Sequence, residues 1–144
     1  MIKPVSAVSI IEQAMPLILA HWSEMAIDFD LAPSVDAYAE MERDGVLFAL
    51  AAFDGDEMVG YSTAMLGSHF FNPAMVVCQS DALFVRQDHR AGVAPGRLIL
   101  ETERTAKSKG AQRMIWQAKP GTPAAAMFAD HGYQPVDVAY SRNL

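Results

Sequence analysis

The hydrophobic period of this chain changes three times, and those changes limit the folds open to it. Ile10, Ile11, Ala14, Leu17, Ile18, His21, Trp22 and Met25 recur at helical spacing. From Val46 to Phe53 the sequence becomes a nearly continuous apolar run, stopped by Asp54-Gly55-Asp56, a hairpin signal. Met58–Leu66 reads as the return strand, Gly67–Pro73 as a loop or wide hairpin, and Met75–Val85 as a third strand carrying Gln79, Ser80 and Asp81. The helical period then returns over Pro95–Lys109, with Leu98, Ile99, Thr102 and Thr105 on one side and Gly110 as the stop.

The remaining elements are shorter. Ser9 followed by Glu12 fits a capping box for the first helix, and Pro16 is expected to kink or divide it. Ser34 caps a second helix ending at Asp44-Gly45. Met114–Ala118 reads as a short buried strand, Thr122–His131 as a small helix stopped by Gly132, and Val136–Tyr140 as a final strand. The predicted order is αα–βββ–α–β–α–β, a single α/β domain over residues 1–144 with a central mixed sheet and about four flanking helices.

Composition narrows the functional classes. Half of the 144 residues are hydrophobic, which supports a packed core and excludes global disorder. With 11 Lys+Arg against 17 Asp+Glu the chain is net acidic, which disfavours nucleic acid as a partner. The single cysteine, Cys78, forms no internal disulfide, and no Cys/His spacing resembles a metal site. Ala14–Ala20, the longest apolar stretch near the N-terminus, contains Pro16 and is far shorter than the roughly 20 residues of a membrane span. A cytoplasmic protein with no membrane association is expected.

The segment Asp81–Ile99 carries the chemistry. A buried strand enters a small-residue turn, Ala91-Gly92-Val93-Ala94-Pro95-Gly96, and passes straight into an amphipathic helix. Such a junction offers backbone N–H groups and a positive helix end to a phosphate. Arg90 and Arg97 bracket it with positive charge. It has neither the GxxxxGK[ST] nor the GxGxxG spacing, and an ordinary strand-to-helix turn has the same local composition.

These residues resemble the acetyl-CoA-binding core of the GNAT superfamily of N-acetyltransferases. There, a strand ending LFV precedes an arginine-glycine turn and a helix ending K-x-G-A; here these are Leu83-Phe84-Val85, Arg90, and Lys109-Gly110-Ala111. Met114-Ile115-Trp116 is similar to the family's fifth strand, and Phe128–Tyr133 to its Y-x-x-x-G-F element. The likeness spans roughly residues 46–144. It implies acetyl-CoA as co-substrate, a splayed strand pair, and a cofactor site formed by Leu83, Phe84, Val85, Arg90, Ala91, Gly92, Val93, Ala94, Gly96 and Arg97.

The chain departs from the pattern at three points. Val93 and Pro95 stand where glycine or alanine is usual, and Pro95 removes one N–H from the cradle. Phe128 occupies the place of a tyrosine that protonates the leaving thiolate.

The resemblance makes Asp81 the general base that takes a proton from an amine acceptor. His69, in the loop feeding the Asp81 strand, is the second catalytic candidate, because an imidazole exchanges protons near neutral pH and can share the transfer or bind the acceptor. Asp28, Asp30, Asp36, Glu40, Glu42 and Asp44 form a solvated face, or favour a small cationic acceptor if they line its site. The family's habit of homodimerising, together with Val136–Tyr140 as an exchange edge, makes a homodimer a further expectation. A catalytically silent module that binds acyl-CoA or a protein partner is the alternative reading.

Overall fold

The computed structural model describes residues 1–144 as one five-stranded sheet with helices on both faces. Strand β1 (Ile2–Val5) is followed by helices α1 (Ala7–Gln13), α2 (Met15–Met25) and α3 (Val35–Arg43). Strands β2 (Leu47–Asp54), β3 (Glu57–His69) and β4 (Asn72–Val85) come next. A single 3-10 turn at Gln87–His89 leads into α4 (Ala94–Ser108), then β5 (Arg113–Ile115) and α5 (Pro123–Asp130). The strands lie in chain order; β1 to β4 are antiparallel, and β5 joins β4 in parallel.

The apolar run of β2 is explained by its position. Leu47–Ala52 are all buried, because β2 lies inside the sheet and is covered on both sides. Leu47 and Ala49 pack with Ile10, Leu17, Tyr61 and Phe84 under α1 and α2. On the opposite face Phe48 joins Ala64, Cys78 and Ala106, while Leu50 joins Val85 and Leu98 of α4. Cys78 is fully buried, and burial pushes its thiol up to about 11, as suits a small core residue.

Pro16 divides the first helix rather than bending it. Ala14 leaves helical geometry at φ −126° and ψ 30°, and Pro16 enters the first turn of α2, where its missing N–H costs nothing. The cap of α1 is Ser6, whose hydroxyl accepts the Ser9 N–H at 3.1 Å, so the Ser9–Glu12 capping box is corrected to Ser6. Ser34 caps α3 as expected, Thr122 is the cap of α5 rather than its first residue, and Gly110 and Gly132 take positive φ after α4 and α5.

Three further expectations are corrected. Ile2–Val5 is an edge strand on β2 that the sequence reading leaves unassigned; only four residues long and holding Lys3 and Pro4, it has no legible period. The Gly67–Pro73 loop is mostly strand, because β3 and β4 run on to a turn at Phe70-Phe71. Val136–Tyr140 is not a strand: β5 is only three residues long, and Val136, Val138 and Tyr140 are exposed rather than packed. An alternating pattern becomes a strand only where a partner edge and a burying surface are present.

Candidate active site

Two irregularities of β4 shape the site. The first is a bulge. Thr63 pairs with Ala82 and Ala64 with Ser80, so Asp81 is an extra residue on β4. A bulge re-aims the side chain it carries. Asp81 therefore lies over Thr63, on the face covered by α1 to α3. Its Oδ2 accepts the Thr63 hydroxyl at 2.7 Å and the Tyr38 hydroxyl at 3.1 Å. Burial, reinforced by Asp81, pushes the Tyr38 phenol up to about 12, so that hydroxyl stays protonated and donating. Asp81 itself is exposed.

The second irregularity is the loss of a neighbour. β5 pairs with β4 only from Val77 to Gln79, which leaves the last residues of β4 with an open edge. The Arg86 N–H bonds Val59 O at 2.8 Å, so alternation along the ladder turns the N–H and C=O of Leu83 and Val85 toward that edge. The Val85 carbonyl confirms this direction by accepting Arg90 Nε at 2.7 Å. Leu83 and Val85 thus present backbone to the cleft, whereas Phe84 presents its ring on the α2 side, stacked on His21.

The open edge leads to the start of α4. Arg97 N–H makes the first helical bond, to Val93 O at 3.0 Å, so the N–H groups of Ala94 and Gly96 precede the intrahelical ladder and Pro95 has none to offer. No side chain caps this end. A Cβ at Gly96 would meet nothing within 4 Å. Ala91, Gly92 and Val93 are exposed on the turn, although the Gly92 N–H turns back to His89 O at 3.4 Å. Arg97, Gly92, Val93 and Ala94 line one wall of a recess of about 360 Å³ whose other wall is Met1, Ile2, Phe53 and Asp54, on the β1–β2 side rather than at the open edge of β4.

Arg90 is placed differently from the sequence expectation of a free phosphate ligand. Its guanidinium meets both carboxylate oxygens of Glu24 at 2.8 Å and lies 5.1 Å from the Phe84 ring centre. It braces α2 to the end of β4. The other cations of the turn are also engaged: Arg86 pairs with Glu57 and Asp88, and His89 with Asp88 and Asp54. Arg97 makes no ion pair and lines that recess together with Asp54, Asp88 and His89.

His69 is not brought to Asp81. It sits at the hairpin tip, where Nδ1 accepts the Phe71 N–H at 3.1 Å, six residues along β3 from Thr63 and so about 20 Å away. The sequence placed it in the loop feeding Asp81, but the long ribbon carries it off. Conversely, His21, Tyr38, Tyr61 and Thr63 gather around the cleft without having been singled out for it. Their only signal was hydroxyl and imidazole groups inside apolar patterns, which core residues share. Phe128 is buried between Trp116 and Tyr133, and the Tyr133 hydroxyl is held by Glu103 at 2.6 Å.

A mixed sheet with one strand pair open at a helix N-terminus is the GNAT acetyltransferase fold, and this chain has it. No family model and no curated protein matches the sequence. Among solved structures, the chain is similar to an aminoglycoside acetyltransferase from an uncultured soil metagenomic sample, with TM-score 0.81 and 19% identity over 100% of this chain and 97% of that one. It is also similar to the ribosomal-protein-alanine N-acetyltransferase of Brucella melitensis biovar Abortus 2308, with TM-score 0.75 and 14% identity over 100% and 98% of the two chains. A Trypanosoma brucei acetyltransferase gives TM-score 0.75 and 15% identity, covering 100% and 99%. No helix of the chain is long and apolar enough to cross a membrane.

Proposed function

We propose that this chain is an acetyl-CoA-dependent N-acetyltransferase that passes the acetyl group directly to an amine. What supports this reading is the closeness of the two halves along one strand: the open edge of β4 runs into the uncapped N-terminus of α4, and the bulged Asp81 stands two residues before Leu83 on that same strand. Extended pantetheine suits the backbone groups of Leu83 and Val85, and a pyrophosphate suits the N–H groups at Ala94 and Gly96. Arg97 adds the charge that Arg90 gives to Glu24.

In this reading Asp81 accepts a proton from the acceptor ammonium, because an ammonium has no lone pair with which to attack. The amine nitrogen bonds to the acetyl carbon and sheds its second proton to solvent, the C–S bond breaks, and the CoA thiolate takes a proton from solvent, since Phe128 has none to give. The structural relatives named for aminoglycosides and for ribosomal-protein alanine support an amine acceptor without choosing between small molecule and protein. Exposed Asp28 and Asp30, just after α2, favour a cationic one.

Calorimetric titration of acetyl-CoA and dephospho-CoA into wild type and Gly92→Glu tests the cofactor half. A Cβ at Gly92 meets only His89 O, at 3.6 Å, so the variant has room to fold. The expected result is micromolar-range binding, weakened more than about tenfold by the new carboxylate and most strongly at low salt. Asp81→Asn should keep that binding and lower amine turnover by about 10²–10⁴-fold. Binding without turnover of any amine would instead select the silent acyl-CoA-binding module.

A further inference from the structure

His21 and Tyr61 form a pair that the acetyl-transfer reading leaves without a task. His21 comes from α2 and lies nearly parallel to Phe84, with ring centres 4.8 Å apart and planes at 20°. Its Nδ1 is 2.7 Å from Tyr61 Oη. Phe84 stands between Leu83 and Val85, so this stacking holds the imidazole on the α2 face of the sheet, next to the strand segment whose edge is open. Glu24, Arg90 and Asp81 are the charged groups that act on the ring, and Arg90 is itself bonded to Glu24.

The hydrogen bond fixes the proton on the imidazole. Tyr61 is buried, and His21 is the partner of its hydroxyl. A buried O–H without an acceptor loses its solvation outright, so the hydroxyl must donate to Nδ1. In neutral imidazole the ring proton then resides on Nε2. Burial holds the ring's pKa below its ordinary value, against the pull of Glu24 and Asp81 and with the help of Arg90. No fully buried side-chain nitrogen in the molecule lacks a partner, and Nε2 bonds no protein atom, so Nε2–H is not fully buried and is free to meet a ligand.

We propose that His21 is a further catalytic residue whose Nε2–H donates to the thioester carbonyl oxygen, with Tyr61 as the positioning residue that fixes the donating tautomer. The proposal rests on the acetyl-transfer reading above. As the amine nitrogen bonds to the acetyl carbon, the carbonyl π electrons move onto oxygen, and a fixed neutral donor stabilises that charge in place. Collapse restores the carbonyl and expels the thiolate. The amine proton leaves through Asp81 and solvent and reaches the thiolate, while His21 keeps its own proton throughout.

Two measurements test this. Imidazole ¹⁵N NMR of the free protein above pH 7 should show the Nε2–H tautomer at His21, and Tyr61→Phe should abolish that preference. With acetyl-CoA labelled with ¹³C at the carbonyl, binding to wild type should move the resonance downfield of the free thioester. His21→Phe, which keeps the stacked ring without an N–H, should return it to the free position with affinity within about threefold and lower kcat about 10²–10³-fold. His21→Gln retains an N–H donor, serves if the phenylalanine variant does not fold, and should recover part of the loss with an unchanged pH profile. An Nδ1–H tautomer, a carbonyl shift indifferent to His21, or loss of the acidic limb of the rate profile in His21→Gln would each overturn the proposal, the last by making His21 a base. Wild type that binds no acetyl-CoA would overturn the acetyl-transfer reading together with it; binding with an unmoved carbonyl overturns the proposal alone.

Discussion

Gly60 lets β3 approach the end of β4, and no other residue fits there. A Cβ would lie 2.8 Å from Phe84 O and 3.0 Å from Val85 Cγ2, both too close for a real contact. Since Phe84 O is backbone, relief requires moving the strand that carries Leu83 and Val85. Gly60→Ala should therefore cost about 1–3 kcal/mol in denaturant unfolding and weaken acetyl-CoA binding in the same protein. Gly96→Ala is the contrasting case. A Cβ there meets nothing within 4 Å, so stability should hold or rise by about 0.5–1 kcal/mol, while affinity falls if a phosphate lies against the helix start. Both glycines are plain in the sequence, but only the packing separates the one that excludes a protein atom from the one that leaves room for a ligand.

At the scale of the element, the β3–β4 ribbon shows what periodicity reads and what it misses. Alternation identified both strands, and the LFV ending located the edge that meets α4. The extent of the ribbon was not legible, because Gly67, Asn72 and Pro73 are ordinary turn residues that here sit in strand. Its tip exposes Phe70 and Phe71 at 100% and 94%, so neither ring packs on the domain. Phe70→Ser with Phe71→Ser should change the unfolding free energy by no more than about 0.5 kcal/mol, measured by denaturant titration. A larger loss would mean that the rings are covered in solution. The bulge at Asp81 was equally hidden: one extra residue in a strand leaves no mark on a pattern of period two, yet it decides which face receives the carboxylate.

For the molecule as a whole, two histidines oppose each other in acid. His21 has a lowered pKa from burial, so its contribution to stability is complete above about pH 6.5 and is lost as pH falls through that value, where the unfolded chain gains a proton more readily than the folded one. His89 has a raised pKa from its bonds to Asp88 and Asp54, so its contribution is complete below about pH 6.5 and is lost as pH rises through the folded value. Stability curves from about pH 5 to 8 should show this directly. His21→Gln should flatten the decline toward acid, and His89→Gln the decline toward alkali. The two sites also mark how the domain is tied together: His89 joins the β2–β3 hairpin to the turn before α4, and His21 joins α2 to the sheet.

Local sequence specified the element order from α1 to α5, the buried strand β2, the cap at Ser34, and the turn from Val85 to Arg97 that leads into α4. Those features follow from local causes: the repeat of apolar residues, the oxygen that caps a helix, and the freedom of glycine beyond a helix end. The tertiary structure alone decided that Ile2–Val5 would be an edge strand, that Val136–Tyr140 would find no partner, and that Arg90 would brace Glu24. It also carried His69 away from Asp81 and set His21 on Phe84 with Tyr61 beneath it. Each of these depends on the separation of residues distant in sequence, which periodicity does not encode and which packing of the sheet against α1, α2 and α4 fixes.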